Sequence, residues 1–80
     1  MLTLKIVSPE KIEFDGAVSK VTVPGTLGQF EILDNHAPII SSLEKGEVRF
    51  MPIDGEQQTI SINRGFVSVR NNDVDICVEV

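Results

Sequence analysis

Tryptophan and tyrosine are absent from this chain, cysteine and histidine occur once each, and the aromatic residues are four phenylalanines. The single cysteine, Cys77, excludes an intramolecular disulfide. One cysteine and one histidine, His36, fall short of the four nitrogen or sulfur ligands usual in a structural zinc site. No apolar run approaches the ~20 residues a membrane-spanning helix needs. The start, Met1-Leu2-Thr3-Leu4-Lys5-Ile6-Val7, lacks the basic end and long apolar stretch of a signal peptide, so a cytosolic protein is expected. Basic residues are few: seven Lys and Arg against twelve Asp and Glu leave a net charge of −5. That charge disfavours nucleic acid and anionic lipid as primary partners, and it fits a protein partner with a basic patch.

Eighty residues make a single domain, 1–80. A chain of this size buries only roughly 60–65% of its unfolded surface. With neither disulfide nor metal to staple it, docking onto a partner subunit is the remaining source of extra stability.

What the sequence does have is an apolar period of two. Leu2, Leu4 and Ile6 alternate with Thr3 and Lys5; Val21 and Val23 with Lys20 and Thr22. Val48 and Phe50 alternate with Glu47 and Arg49; Ile60 and Ile62 with Thr59 and Ser61. Val74, Ile76, Val78 and Val80 alternate with Asp75, Cys77 and Glu79. Such alternation turns one face of each strand to a core and the other to water or a partner. Asp15-Gly16, Pro24-Gly25, Lys45-Gly46, Asp54-Gly55 and Asn71-Asn72-Asp73 supply turns between these runs. Asp54-Gly55 is the strongest hairpin signal. Many short strands at this spacing predict an all-β sandwich or barrel. The one helical scrap lies near His36 to Leu43, limited to about a turn or two by Pro38 and Gly46.

Templates for chemistry fail. A nucleophilic serine or cysteine needs a base, and only His36 is at hand. No Gly-x-Ser-x-Gly elbow surrounds Ser8, Ser19, Ser41, Ser42, Ser61 or Ser68. The acidic residues are scattered, mostly at turns or outward positions, which leaves no evident carboxylate pair. Gly25-Thr26-Leu27-Gly28 has neither the lysine nor the helix start of a phosphate loop, so a bland turn is the better reading. Asp34-Asn35-His36 could bind a metal weakly, but no second ligand cluster supports it. A turn held by Asp34 or Asn35 bonding its own backbone is preferred. A pH-switch role for His36 stays open beside that of a hydrogen-bonded interface histidine. Cys77 falls on the face opposite Val74, Ile76 and Val78, with no basic sequence neighbour to activate it. It is either a small packing residue or a residue under another protein. Phe30 divides evenly between packing and contact, and Leu27 leans toward a contact surface.

Several stretches together carry a resemblance. They are Ile6-Val7-Ser8-Pro9-Glu10-Lys11 with Phe14-Asp15-Gly16, then Val18 to Gly25, then Gly28-Gln29-Phe30-Glu31-Ile32-Leu33-Asp34-Asn35-His36-Ala37-Pro38. Leu43, Gly46 and Val48 follow at fitting spacing, and Gly65-Phe66-Val67 comes later. Across its whole length the chain resembles the ε subunit of F-type ATP synthase. It departs from that pattern at Glu31, where glycine is usual, at Asp34, where proline is usual, and at Arg64, where a second glycine is usual.

The resemblance implies a flattened ten-stranded β-sandwich with essentially no helix, no catalytic residue and no cofactor. It implies a rotor component on the central stalk that couples rotation of the c-ring to the γ subunit during ATP synthesis by proton or ion transport. The subunit would be peripheral to the cytoplasmic face of the inner (plasma) membrane, with no insertion of its own. Thr26, Leu27, Gly28, Gln29, Phe30 and Glu31 would face the c-ring; Ser8, His36, Ala37, Pro38 and Ser41 would face γ. Members usually carry a C-terminal helical hairpin that in some cases binds ATP, or that extends to block rotation in the hydrolysis direction. Here the last strand ends at Val80, so helix-mediated inhibition and ATP sensing are expected to be missing. The rival reading is a free-standing β-sandwich that binds a small molecule or peptide in a concave, polar-lined pocket. A third is an enzyme using scattered carboxylates.

Overall fold

In the computed structural model, residues 1–80 form eight strands and no helix. They are β1 (Leu2–Val7), β2 (Ile12–Gly25), β3 (Gly28–Ile32), β4 (Ile39–Leu43), β5 (Gly46–Pro52), β6 (Gln58–Ile62), β7 (Arg64–Arg70) and β8 (Asp73–Glu79). Hydrogen bonding joins them in the order β1-β8-β7-β4-β2-β5-β6, with β3 also on β2 and β1 closing back onto β2. Eight strands stand where ten were expected. The 14-residue β2 is one reason, since this single strand pairs with β1, β3, β4 and β5.

The period-two pattern defines the core. Leu2, Leu4 and Ile6 of β1, Val48 and Phe50 of β5, Val67 and Val69 of β7, and Val74, Ile76 and Val78 of β8 are all buried. Val18, Val21, Val23, Ile32, Leu43 and Ile62 complete a cluster of 16, and no polar or charged residue is buried. The rings of Phe14 and Phe50 pack 4.5 Å apart at 51°, within the tilted range that aromatic pairs favour.

Val18 and Val21 are an odd number of residues apart, yet both are buried. The register against β5 slips between Val18 and Lys20, which leaves Ser19 as the extra residue of a β-bulge. A bulge lets the chain change the face it buries, and the Ser19 hydroxyl donates to the Met51 carbonyl at 3.4 Å.

Several local expectations change. Asp15-Gly16 and Pro24-Gly25 are not turns but lie inside β2, the first pair opposite Lys5 and Leu4 and the second opposite Gln29 and Gly28. Ile39–Leu43 is a strand, not a helical turn: five residues pair antiparallel with Gly65–Val69. Pro38 donates no backbone hydrogen bond and Ile39-Ile40 is β-branched, so a ladder suits the segment better than a helix. Asp54-Gly55 does sit in the β5–β6 hairpin, but Phe50 pairs with Gln58, making the connection wider than two residues. Val80 lies exposed beyond β8 instead of extending its buried face. Asn71-Asn72 does form a two-residue hairpin between Arg70 and Asp73. Both asparagines have positive φ, 52° and 64°, as a type I′ turn requires.

Candidate docking surface

The outward residues of β1, β8, β7 and β4 line up in rows because paired residues share a face. One row is Val7, Cys77, Phe66 and Ser42; the next is Lys5, Asp75, Ser68 and Ile40. Phe66 is 49% exposed and Ile40 81%. Charged pairs bound this band. Asp73 stands opposite Arg70 on one side, and on the other the Arg64 Nε donates to Glu79 Oε2 at 2.8 Å. That hydrogen bond and the carboxylate charge raise the Arg64 pKa above its ordinary value. The outer face of β3, β2, β5 and β6 is different in kind. Its central row runs Glu31, Thr22, Arg49, Thr59, and Arg49 Nη2 donates to the Gln29 side-chain oxygen at 2.8 Å. One outer face thus carries an apolar strip, Val7-Cys77-Phe66, beside a row where Ile40 is the one apolar residue among Lys5, Asp75 and Ser68, and the other face is polar along its central row.

Cys77 is half-buried and free. It sits on the face opposite Val74, Ile76 and Val78, as its place in the alternation predicts. It shares an open, mainly apolar cleft of about 330 Å³ with Val7, Ser8, Pro9 and Phe66. Ser8 reaches this cleft from the β1–β2 turn. Its backbone N–H donates to the Lys11 carbonyl at 2.9 Å and its hydroxyl to Glu13 Oε2 at 2.9 Å.

Thr26 and Leu27 form the tip of the β2–β3 hairpin, between the paired Gly25 and Gly28. Gly28 has φ +129°, a conformation costly for any side chain. Leu27 is fully exposed, and Phe30 is half-buried against the core. Glu31 is exposed and points away from the core, opposite Thr22. A cleft of about 430 Å³ joins Leu27, Gln29 and Phe30 to Ile39, Ile40 and Ser41. Ser41, expected with the γ-facing set, therefore lies beside the segment expected to face the ring.

His36, Ala37 and Pro38 lie in the connection between β3 and β4. The turn there is real, but neither Asp34 nor Asn35 holds it through its own side chain. Asn35 has φ 64°, the His36 N–H donates to the Leu33 carbonyl at 3.2 Å, and the Asn35 N–H donates to Asn72 Oδ1 at 2.7 Å. The His36 Nδ1 lies 2.8 Å from the Ala37 carbonyl oxygen. No group of three or more His, Cys, Asp or Glu is placed to hold a metal ion.

Sequence reasoning passed over Ile40, Phe66 and Asn72 as site residues. For Phe66 a signal was present, since it is out of phase with the buried Val67 and Val69. Ile40 is likewise out of phase with Leu43. Nothing in the sequence pointed from Asn72 to a loop 37 positions earlier.

All 80 residues match the family described as the ATP synthase delta/epsilon chain β-sandwich domain. The chain is similar to the ATP synthase epsilon chain of Synechocystis sp., 39% identical over 77 residues, which cover 96% of this chain and 56% of that one. It is 41% identical to that of Nitratiruptor sp., over 98% of this chain and 60% of the relative. It is 38% identical to that of Chlorobaculum tepidum, over 96% and 88%. The chain thus spans little more than half the length of the first two relatives. Its fold is also that of a chain in the Euglena gracilis mitochondrial ATP synthase structure of OSCP, F1 and c-ring. The TM-score there is 0.88 at 20% identity, covering 96% of this chain and 49% of that one. This chain belongs to the ATP synthase delta/epsilon β-sandwich domain family.

Proposed function

We propose that this domain is a non-catalytic part of the central stalk of an F-type ATP synthase, coupling c-ring rotation to the γ subunit during ATP synthesis by proton or ion transport. The observation that carries the reading is the contrast between the two outer faces. A rotor part must hold one partner firmly over a broad surface, and the apolar strip Val7-Cys77-Phe66, with Ile40 exposed in the next row, suits the centre of such a contact, rimmed by Lys5 and Asp75. The other face, with Thr22, Arg49 and Thr59, suits water. Ser8 lies at one end of the band. His36, Ala37 and Pro38 lie next to β4, beside Ile40, so the γ contact takes in both ends.

The ring contact falls to the hairpin tip, Thr26 to Glu31, where exposed Leu27 and the Glu31 carboxylate would meet the polar loops of the c-ring. Ser41 bridges the two contacts through the cleft it shares with Leu27 and Ile40.

The architecture that best serves this role is a flattened sandwich, with β1, β8, β7 and β4 in one layer and β3, β5 and β6 in the other. β2, paired with β1 at its start and with β3 and β5 at its end, passes between them. A ten-strand description divides what the hydrogen bonding joins, and β2 is the strand most open to division, at Ser19. Two layers around a close-packed apolar core make a stiff body, and stiffness is what torque transfer needs. No bond is made or broken and no cofactor is required. The domain's place would be peripheral, at the cytoplasmic face of the inner (plasma) membrane, held there by the complex.

Co-purification with γ tests the reading. Stoichiometric capture, weakened by Ala37→Glu, is the expected result. No capture at micromolar concentration would overturn it. In that case the polar cleft lined by Asn35, His36, Asn71 and Asn72 would be the place to seek the small ligand of a free-standing binding module.

A further inference from the structure

Between Ile32, the end of β3, and Ile39, the start of β4, the backbone has no strand partner. Yet His36, Ala37 and Pro38 in this stretch are assigned above to the γ contact. A loop that must be ordered on binding loses affinity to the entropy of ordering it, so what fixes this loop beforehand matters. One fixing contact comes from outside the loop: the Asn35 N–H donates to Asn72 Oδ1 at 2.7 Å. Asn72 is itself anchored, because its carbonyl accepts the Thr3 N–H at 2.9 Å. The hairpin turn, β1 and the loop are thereby tied at one residue.

The choice of asparagine is informative. Asn72 occupies the second central position of a type I′ turn with φ 64°, where glycine is the residue of least strain. Glycine has no side chain to reach Asn35. A locally second-best residue that makes a long-range bond is the pattern expected of a position chosen for something other than the turn.

We propose that Asn72 is a positioning residue: it holds the Asn35–Pro38 loop in its binding-competent form and thereby slows release of γ. The proposal rests on the docking reading above. Asn72→Gly separates the two roles, because it keeps or improves the hairpin while removing the acceptor. In the full-length chain, the variant should keep or raise the thermal midpoint and lose hydrogen-exchange protection at the Asn35 amide. Release of γ should be about 2- to 10-fold faster, as the loss of one hydrogen bond implies. Asn72→Asp, which retains an acceptor at the same place, should keep the Asn35 protection. Wild-type release rates with Asn72→Gly, or unchanged exchange at Asn35, would overturn the proposal. Failure of the wild-type chain itself to bind γ would instead overturn the docking reading, and this inference with it.

Discussion

Gly65 lies so close to Cys77 on the paired strand that a β-carbon at Gly65 would overlap the Cys77 carbonyl oxygen. The close approach holds β7 against β8 where Phe66 and Cys77 are paired, at the centre of the apolar band. Gly65→Ala should therefore force the two strands apart and cost about 1–3 kcal/mol, the usual range for overpacking. Urea unfolding would read this directly, and a midpoint equal to that of the wild type would contradict it.

Phe66 is half exposed, so its removal should matter more to binding than to folding. Phe66→Glu places a charge in the middle of the apolar band. It should weaken γ capture about tenfold or more, as for a residue at the centre of an interface. The thermal midpoint should fall little. Thr59→Glu on the opposite outer face is the control, and it should leave capture unchanged.

Phe50 is almost fully buried and packs against Phe14 in a tilted pair. Phe50→Ala should cost about 3–5 kcal/mol. Small domains have total stabilities near the low end of roughly 5–15 kcal/mol. The variant should then retain only about 0–2 kcal/mol, and far-UV circular dichroism should show its strand signal lost at a much lower temperature than in the wild type.

The Arg64–Glu79 pair gives a prediction about pH. The Arg64 pKa is raised by its hydrogen bond to Glu79 and by the charge of that carboxylate. A base with a raised folded-state pKa contributes fully below its unfolded value, and the contribution is lost only as pH rises through the folded one. For an arginine both values lie above the range in which the protein is studied. Its contribution should therefore be flat between about pH 6 and about pH 9. Arg64→Gln should shift the thermal midpoint equally at the two ends of that window. The shift should shrink in high salt, because the pair is exposed.

The strands were legible because each side chain alternates inside and outside, and the sequence writes that alternation in Val, Ile and Leu. It failed to show where the alternation slips. Val18 and Val21 share the core only through the Ser19 bulge, and a bulge leaves no mark in composition. The stretch from His36 to Leu43 reads as a helical scrap because a proline followed by a short mixed segment gives no period long enough to separate strand from helical turn. The proposed site can be written from the sequence only as segments, Thr26 to Glu31 and His36 to Pro38 with Ser8 and Ser41, and not as a surface. Which of Phe66, Cys77, Val7 and Ile40 stand side by side depends on strand order. The parallel pairing of β1 with β8 joins residues some 70 positions apart.

The central claim is that the apolar outer face, and not the polar one, meets γ. Backbone amide NMR of the labelled chain titrated with γ tests it most directly. The account predicts shifts and protection at Ser8, His36, Ala37, Ile40, Phe66 and Cys77, with Thr22, Arg49 and Thr59 unmoved. Changes centred on Thr22, Arg49 and Thr59 would contradict it.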